Sequence, residues 1–524
     1  MVAYRLASDP LRKFPGPLLA RFTSAYGAIH VWRRDFHLVS VGWHKKYGPV
    51  VRVAPDRLVF SSAQALQDIY NNPVVSKGRA YTQLLNNGTG PPNLLTTLDK
   101  TLHRQKRKVI APVVSERSMR VFEPEMVKQV DSFLVQLMRS QGETVDVSHR
   151  CERLGVDIIG QLAFGYPLNT QADPTHRVVI EGLKRRSARN QMYFWWSRLR
   201  AIEPVLFGKS KAHLEEGFHR SLMTMMNSRM ALPKDAKHDF WALASGEMIA
   251  SGSAEPGLIG KELWMEAIFF VAAGGATTAT TMSGIFFYLS RNPEVYARLA
   301  SEIRNTFSSG DQIRQGPKLA GCKYLRAVIE ETLRISPPTL APAWREQDPD
   351  SVAAGEPFIV DGHVIPPGTQ VAVSNYTLQH SEEHFPNPYS FTPERWLSED
   401  PDPQEQLQSQ TADNDVGLRD SLSATAKRRA FAPFSLGDRS CAGKPMAYLE
   451  MSLTIAKTMW YFDFEVAPGP DGKLGAGTAG RKDGRHRPEE YQVYDGVIVS
   501  HYGPSLVFKP RAEHAKELDL LGEA

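Results

Sequence analysis

A long uncharged segment constrains the fold of this chain more than any other feature. Residues 267–290 carry no charged side chain and, as a helix, would be long enough to cross a bilayer. Small and hydroxyl-bearing residues dilute the hydrophobicity of this segment: Gly274, Gly275, Thr277, Thr278, Thr280, Thr281 and Ser283. A helix surrounded on all sides by a large protein has the same composition. We therefore predict a buried helix at the centre of a helix-rich body.

Helical and strand-like patterns form separate blocks along the rest of the chain. Residues 63–307 are mostly helical in pattern, apart from a predicted loop rich in Gly, Pro and Asn at 79–99. A later helix ends at Ile335, because Pro337 and Pro338 cannot continue it. Strands are predicted as a pair at 49–60, as a hairpin at 358–365, as a single strand at 370–374 and as a last hairpin at 493–508. These patterns predict a mainly α fold with small β-sheets.

The domain organisation follows from what the sequence lacks. Its 524 residues contain no internal repeat and no linker between two globular parts. Length alone would favour several domains, but it is a weak guide. We predict a single domain over residues 1–524, with a core at about 11–511 and polar insertions at about 398–429 and 468–490.

Charge and cysteine content narrow the function classes. The formal net charge of +5 is small for this length, and nucleic-acid-binding proteins usually concentrate basic charge on one face, so we expect no nucleic-acid partner. Cys151, Cys322 and Cys441 are too few and too scattered for a disulfide framework, and a reducing compartment is expected. Cys151 and Cys322 fit small buried hydrophobic residues. Cys441 needs a different explanation.

Cys441 lies in a segment of spaced residues just before a predicted amphipathic helix. The set is Phe434, Gly437, Arg439, Cys441 and Gly443. Amide groups and the dipole at a helix N-terminus stabilise a thiolate, which is the form that a soft metal requires as a ligand. The glycines allow close approach of a flat macrocycle, and Arg439 can pair with a carboxylate on it. The segment predicts a metal site with Cys441 as the metal ligand.

This segment resembles the haem-binding signature of the cytochrome P-450 family, Phe-x-x-Gly-x-Arg-x-Cys-x-Gly, at every fixed position. The resemblance extends over residues 11–508 and is to the filamentous-fungal microsomal type associated with secondary metabolism. It implies a helix-rich body and a small strand-rich part around a buried haem b. It also implies that Cys441 is the axial iron ligand and that Phe434, Gly437, Arg439 and Gly443 bind the cofactor. A thiolate ligand favours cleavage of the O–O bond.

Glu331, Arg334 and Arg395 resemble a structural triad of the family. Glu331 and Arg334 are three residues apart on a predicted helix and share a face, a spacing that by itself usually marks a solvated pair. The resemblance implies that the three residues hold the haem-binding region in place and take no part in the chemistry.

His103, Arg107 and Arg345 resemble ligands of the haem propionates. His103 and Arg107 are four residues apart, so they share one face of a predicted helix. An alternative reading of this helix is a basic surface on which Lys106 and Lys108 steer an acidic redox partner.

The centre of the uncharged helix resembles the oxygen-activation segment of the family. Thr277 can donate a hydrogen bond to the carbonyl of Ala273, which would open the helix beside Gly274 and make room for dioxygen. The predicted catalytic residues are therefore Gly274, Ala276 and Thr277. The family carries an acid where this chain has Ala276, and alanine cannot relay a proton. Glu266 is out of register, so water, the substrate or a residue from another segment stay open as proton routes.

The resemblance implies a monooxygenase that inserts one oxygen atom from O2 into a lipophilic molecule, such as a terpenoid or polyketide-type secondary metabolite. Electrons would come from NADPH through a separate NADPH–cytochrome reductase, with cytochrome b5 as a further donor. Two alternatives stay open. Ala276 is compatible with a haem-thiolate isomerase, dehydratase or cyclase, and the cofactor segment alone is compatible with a non-enzymatic haem sensor.

The resemblance also implies a location and a substrate pocket. The expected location is the cytoplasmic face of the endoplasmic reticulum, although the chain as given has no N-terminal anchor and would then be soluble. The aromatic residues 193–196 fit a pocket lid, a surface in contact with the membrane or plain core packing. The expected pocket segments are 79–98, 193–207, 269–273, 339–343 and the tip near Tyr502.

Overall fold

The structure is a computed structural model. It describes residues 9–84, 91–201, 212–233, 236–244, 261–397, 427–514, 517–518 and 520–521.

Helices make up most of the described chain. In chain order they are α1 Ala25–Trp32, α2 Phe36–Tyr47, α3 Ala63–Tyr70, α4 Lys100–Ile110, α5 Glu116–Met138, α6 Val147–Phe164, α7 Val178–Trp195, α8 Ala212–Met230, α9 Lys261–Arg291, α10 Pro293–Thr306, α11 Pro317–Ala320, α12 Lys323–Ile335, α13 Pro349–Ala353, α14 Asn375–Gln379 and α15 Lys444–Tyr461. Several begin at residues whose side chains accept a backbone N–H: Asp99 before α4, Ser115 before α5 and Asp146 before α6. Each such cap contributes about 1 kcal/mol.

The strands form small sheets beside this helical body. They are β1 Val50–Ala54, β2 Arg57–Phe60, β3 Val75–Lys77, β4 Thr144–Asp146, β5 Arg345–Gln347, β6 Ile359–Val360, β7 His363–Val364, β8 Gln370–Val373, β9 Phe462–Val466, β10 Val493–Tyr494, β11 Ser500–His501 and β12 Ser505–Pro510. The largest sheet has the order β1-β2-β8-β5-β3, and a second has the order β4-β12-β9. The paired strands β6 and β7 form the predicted hairpin around Asp361 and Gly362, which both have positive φ.

Helix α9 lies at the centre of the body, as the uncharged segment predicts. From Thr278 to Leu289 every side chain is buried. The helix crosses α6 so closely that a Cβ atom added to Gly155 would lie 2.3 Å from the carbonyl oxygen of Gly275. Glycine at this crossing is therefore required by packing. Among the described residues, α9 is the one helix long and apolar enough to cross a membrane, and 56% of its apolar window is buried inside the protein.

The strand predictions at 49–60, 370–374 and 493–508 have different outcomes. The pair at 49–60 is confirmed as β1 and β2, and the strand at 370–374 as β8. The predicted last hairpin at 493–508 is wrong in its second half, because β10 pairs with β11 and β12 pairs with β4 and β9. Leu506 and Phe508 on β12 are fully buried in the main core, and this burial draws the strand into another sheet.

The structure describes all of one predicted polar insertion, 468–490, and only the end of the other, 398–429. Of the segment 398–429, residues 398–426 lie outside the described residues. The segment 468–490 is mostly exposed, as predicted, but Arg485 and Glu490 are buried. Arg485 donates hydrogen bonds to the side chain of Gln492 and to the carbonyl of Val493, so this segment is anchored at its end.

Candidate active site

A cavity of about 520 Å³ lies between the central helix and the helix that follows Cys441. Helix α9 contributes Ala273, Ala276 and Thr277 to one wall. The segment before α15 contributes Cys441 to another. The rest of the lining comes mainly from the loop at 93–96, helices α4 and α7, the segment 338–345 and the tip at 497–501. The predicted metal ligand and the predicted oxygen-activation segment therefore face one space.

Cys441 is held by its own segment. Its backbone N–H donates a 2.8 Å hydrogen bond to the carbonyl of Phe434, which closes the loop before α15. Gly437 has a φ of +65°, and a Cβ atom there would lie 2.4 Å from the carbonyl oxygen of Tyr70. A side chain at Gly437 would clash with Tyr70, and Gly437 does not line the cavity, so the role predicted for it in cofactor binding stays a prediction. Gly443 does line it.

The thiol of Cys441 is exposed, and it is exposed towards the cavity. Burial raises the pKa of Cys441, while the amides of Gly443 and Lys444 and the charge of Arg107 lower it in part. The start of α15 thus stabilises the thiolate of Cys441, as predicted, but burial raises the pKa by more than these groups lower it. A metal cation bound to Cys441 would stabilise the thiolate further, because a coordinated thiol loses its proton.

Five basic side chains surround the same end of the cavity. They are Lys77, His103, Arg107, Arg345 and Arg439. Arg439 donates 2.9 Å hydrogen bonds to the carbonyls of Thr97 and Leu98, and Arg107 donates to the carbonyl of Ser440. These bonds fix the positions of the guanidinium groups without neutralising them.

The mutual repulsion of these groups is visible in their acidities. Burial and the nearby charges of Arg439, Lys77 and Arg107 lower the pKa of His103 to about 3. Burial and the charge of Arg345 lower the pKa of Arg439 to about 10. Such an excess of positive charge beside a thiol fits a planar cofactor with an anionic edge. The donor set present here therefore fits haem, whose two propionates these side chains would bind.

The predicted triad comes together outside the cavity. Arg334 donates to both carboxylate oxygens of Glu331, at 2.9 and 2.8 Å, and Arg395 donates to Oε1 at 3.1 Å. Trp396 adds a 2.9 Å hydrogen bond to Oε2, and Arg334 also binds the carbonyls of Gln379 and Pro388. Glu331 and Arg334 have no exposure to solvent. The cluster ties α12 to the segment that leads towards Cys441.

The oxygen-activation segment has the predicted hydrogen bond. The hydroxyl of Thr277 donates to the carbonyl of Ala273 at 2.9 Å. Helix α9 is nevertheless continuous from Lys261 to Arg291, so the predicted opening is not present. A Cβ atom added to Gly274 would lie 2.6 Å from Cδ1 of Ile159 on α6. Gly274 is therefore required for the packing of α9 on α6, and it also lines the cavity.

The sequence profile described as Cytochrome P450 matches residues 15–478. The chain belongs to the cytochrome P450 family. Three relatives cover almost all of it. The cytochrome P450 monooxygenase AKT7 of Alternaria alternata is 31% identical over 521 residues, which is 97% of this chain and 94% of the relative. The cytochrome P450 monooxygenase poxM of Penicillium oxalicum is 33% identical over 524 residues, which is 97% of this chain and 92% of the relative. The cytochrome P450 monooxygenase atnE of Emericella nidulans is 31% identical over 523 residues, which is 97% of this chain and 93% of the relative.

Family membership confirms the predicted fold class and the predicted enzyme class, a haem-thiolate monooxygenase. A cytochrome P450 holds haem iron through a cysteine thiolate, receives electrons from a redox partner and acts on lipophilic molecules. Nothing in these comparisons favours the isomerase or the sensor.

Lys106 of this P450 does not have the predicted surface role. It is buried, and its Nζ lies 3.0 Å from Oε1 of Glu266 on α9. Lys106 shares the inner face of α4 with His103 and Ile110, which explains its burial. Lys108 is exposed, so of these two lysines it is the one that could steer a partner.

The pocket differs from its prediction on α7. The predicted tip near Tyr502 reaches the cavity through residues 497–501, and Tyr502 itself is 49% exposed. Side chains on α7 from Ile180 to Gln191 line the cavity and were not predicted. Trp195 packs against Phe36 and Trp344 in the core, so the aromatic residues 193–195 do not form a membrane surface. Residues 202–207 of the expected lining lie outside the described residues.

Sequence reasoning missed several polar residues of this cavity, among them Lys77 and Glu450. Lys77 on β3 donates to the carbonyls of Leu94 and Leu95, at 2.9 and 2.6 Å, and adds a fifth basic side chain. No pattern in a three-residue strand predicts this placement. Glu450 on α15 also lines the cavity. Its signal was present, since it falls on the same inner face as the apolar residues Met446 and Leu453.

Proposed function

We propose that this P450 inserts one oxygen atom from O2 into a lipophilic secondary metabolite, such as a terpenoid or a polyketide, with haem b held by Cys441. The observation that carries the proposal is the composition of one cavity. A cysteine thiol, five basic side chains and Thr277 line the same cavity, and its walls are mainly apolar. A single catalytic domain with a core at 11–511 would contain every one of these residues.

Two sets of residues would hold the haem. Cys441 would bind the iron, with Phe434 and Gly443 beside it and Gly437 shaping the loop. His103, Arg107, Arg345 and Arg439, with Lys77, would bind the propionates. Bound haem supplies the iron at which dioxygen is activated.

The residues of α9 would act on the other face of the cofactor. The hydroxyl of Thr277, with its proton directed to the carbonyl of Ala273, would present its oxygen atom to a water or an oxygen species in the cavity. Ala276 would provide no proton, and its own carbonyl already accepts a 2.9 Å hydrogen bond from Thr280. Gly274 would keep this part of α9 close to α6. The apolar walls would exclude bulk water from the reacting groups.

The substrate class follows from the far part of the cavity. Ile180, Leu183, Phe194, Phe269 and Val499 line it with apolar surface. An apolar ligand gains about 25 cal/mol for each Å² of apolar surface that it buries there. A hydrophobic metabolite therefore fits this cavity better than a charged one.

Electrons would come from NADPH through a separate NADPH–cytochrome reductase, with cytochrome b5 as a further donor. Arg104 and Lys108 on α4 and Lys444 at the start of α15 are exposed near the Cys441 segment and would attract an acidic partner surface. The cytoplasmic face of the endoplasmic reticulum is the proposed location. Exposed Leu18, Leu19, Ile29 and Trp32 in and beside α1 form an apolar surface suited to contact with a membrane.

Turnover with the reductase, NADPH and isotopically labelled dioxygen tests this function. A panel of fungal terpenoids and polyketides would first be screened for the spectral change that accompanies binding near the haem. The proposal predicts one labelled oxygen atom in the product. A product formed without O2, or without the label, would instead favour an isomerase, dehydratase or cyclase.

A further inference from the structure

One wall of the cavity carries a group of polar side chains that the cofactor does not need. Glu152 on α6, Lys184 on α7 and His501 on β11 all line the cavity, and Glu152 and His501 are buried. Nζ of Lys184 lies 2.8 Å from Oε2 of Glu152, and Nε2 of His501 lies 3.8 Å from Oε1 of Glu152. These three residues are the Glu152 cluster.

Hydrogen counting shows what the Glu152 cluster lacks. The hydroxyl of Tyr491 donates to the carbonyl of Gly503 at 2.7 Å, so it accepts the 3.0 Å hydrogen bond from Nδ1 of His501. Burial lowers the pKa of His501 to about 3, so the ring is neutral and its Nε2 is an acceptor. With Glu152 ionised, Nε2 of His501 and Oε1 of Glu152 are two acceptors 3.8 Å apart, which is too far for a direct hydrogen bond. A hydrogen-bond donor from a third group therefore fits beside both atoms.

The charges of the Glu152 cluster select the kind of group that it can bind. Burial raises the pKa of Glu152 to about 7, and the charge of Lys184 lowers it in part. The pair is neutral as a whole when Glu152 is ionised, so a charged ligand would be attracted by one partner, repelled by the other and stripped of its hydration. A carbonyl group would accept from Lys184 but would leave Glu152 and His501 without a donor. A hydroxyl group both donates and accepts, and it satisfies all three residues.

A second bare polar group lies on the same side of α7. Gln191 follows Lys184 by seven residues, which is almost two helical turns, and it lines the cavity too. Its side chain is buried, and its amide oxygen has no hydrogen-bond partner among the described residues. Buried polar atoms normally have a partner, so this oxygen also indicates a bound donor. Between the two, Ser187 Oγ donates to the carbonyl of Ile498 at 2.7 Å and accepts from its N–H at 2.9 Å, which ties the tip that carries His501 to α7.

We propose that the Glu152 cluster binds a hydroxyl group of the substrate, so that the substrate is a lipophilic molecule that already carries a hydroxyl group. The inference rests on the proposed monooxygenase function. The hydroxyl proton is shared between Oε1 of Glu152 and Nε2 of His501, and the hydroxyl oxygen accepts a hydrogen bond from Nζ of Lys184. No bond is made or broken there, and the three residues determine specificity by fixing one end of the substrate. A reaction that forms a hydroxyl group, such as an oxygenation or a carbonyl reduction, therefore precedes this enzyme.

Spectral titration of the wild-type holoenzyme with one carbon skeleton tests this preference without turnover. Farnesol carries the hydroxyl group, whereas its deoxy hydrocarbon, farnesal and farnesoic acid carry hydrogen, a carbonyl group and a carboxylate in its place. Farnesol should bind at least about tenfold more tightly than each of the other three, as expected for a hydrogen bond to a charged group. Equal or weaker binding of farnesol would overturn the proposal, and this measurement does not depend on the folding of any variant.

Glu152→Gln should change the order of affinities, because the charge of Lys184 is then uncompensated. Farnesoic acid should gain at least about tenfold relative to farnesol, since a carboxylate pairs with the free ammonium group. Glu181→Gln is the matched control: its carboxylate lies 3.8 Å from the same ammonium group, but it is exposed, and the order should stay that of the wild type.

An unchanged order in Glu152→Gln, with wild-type haem content, would contradict the proposal. The outcome is also separable from that of the proposed function. If the wild type prefers farnesol but no substrate acquires labelled oxygen, the monooxygenase function fails and the hydroxyl site stands. If labelled oxygen is incorporated without a preference for farnesol, the hydroxyl site fails and the function stands.

Discussion

The ammonium group of Lys106 lies 3.0 Å from the carboxylate of Glu266, and both side chains are almost fully buried. This ion pair joins α4, which carries two of the five basic cavity residues, to α9, which carries Thr277. Glu266 also accepts a 2.9 Å hydrogen bond from the backbone N–H of Leu94, so it fixes the loop that lines the cavity. The pair thus links three walls of one site.

Lys106→Met should destabilise the protein by about 3 kcal/mol, because Glu266 would be left as a buried charge without its partner. Denaturant unfolding of the holoenzyme measures this loss. Lys108→Met, on the exposed side of the same helix, is the matched control and should stay within about 0.5 kcal/mol of the wild type. The double change Lys106→Met with Glu266→Gln should recover part of the loss, because the neutral amide keeps an acceptor for the N–H of Leu94, and equal damage in the double variant would argue against the ion pair.

Glu331→Gln should destabilise the protein at neutral pH by about 3 kcal/mol, since Arg334 and Arg395 lose a buried anionic partner. Burial alone would raise the pKa of Glu331, but the charges and hydrogen bonds of Arg334 and the charge of Arg395 bring it below the usual 4.5. Because the pKa of Glu331 is lower in the folded protein than in the unfolded chain, its ionisation stabilises the fold at pH values above the unfolded-state pKa. This contribution is lost as the pH falls through the folded-state pKa. Unfolding measured at pH 7 and at pH 4 and below should therefore show the variant approaching the wild type in acid. A difference that does not shrink would contradict the ionised triad.

Arg439→Leu should weaken haem retention by about tenfold, the loss expected for one charge-assisted hydrogen bond. Transfer of haem to an excess of an apoprotein acceptor measures it. Arg104→Leu removes an exposed arginine from α4 and should leave retention unchanged. If both variants lose haem at the wild-type rate, Arg439 is not a propionate ligand.

Thr277→Val should lower the product formed per NADPH while leaving substrate affinity near its wild-type value, because the hydroxyl that faces the cavity is removed. Thr280→Val is the control. Thr280 makes the same kind of bond to the carbonyl four residues earlier, at 2.9 Å, but it does not line the cavity. Equal loss of coupling in both variants would show that helix geometry, and not the hydroxyl at 277, is responsible.

Local sequence patterns predicted the structure correctly wherever one short segment determines the geometry. The hydrogen bond from Thr277 to Ala273 follows from a spacing of four residues in a helix, and the hairpin at 359–364 follows from Asp361 and Gly362. The hydrogen bond from Cys441 N–H to Phe434 lies within one ten-residue segment as well.

Contacts between distant segments could not be predicted in the same way. Lys106 is basic and lies among basic neighbours, and its burial depends on Glu266, which is far away in sequence. Strand β12 looks like half of a hairpin until β4 and β9 are available as partners. Glu450 has the helical spacing of a core residue, but carboxylic acids usually lie at the surface. Its burial depends on a hydrogen bond with Thr278, which is far away in sequence.

Cys441→Ala compared with the wild type, by absorption spectroscopy of the reduced carbon monoxide complex, tests the central claim most directly. The account predicts that the wild type shows the red-shifted haem band of thiolate ligation and that the variant lacks it. A variant that binds haem and keeps this band would contradict the assignment of Cys441 as the iron ligand.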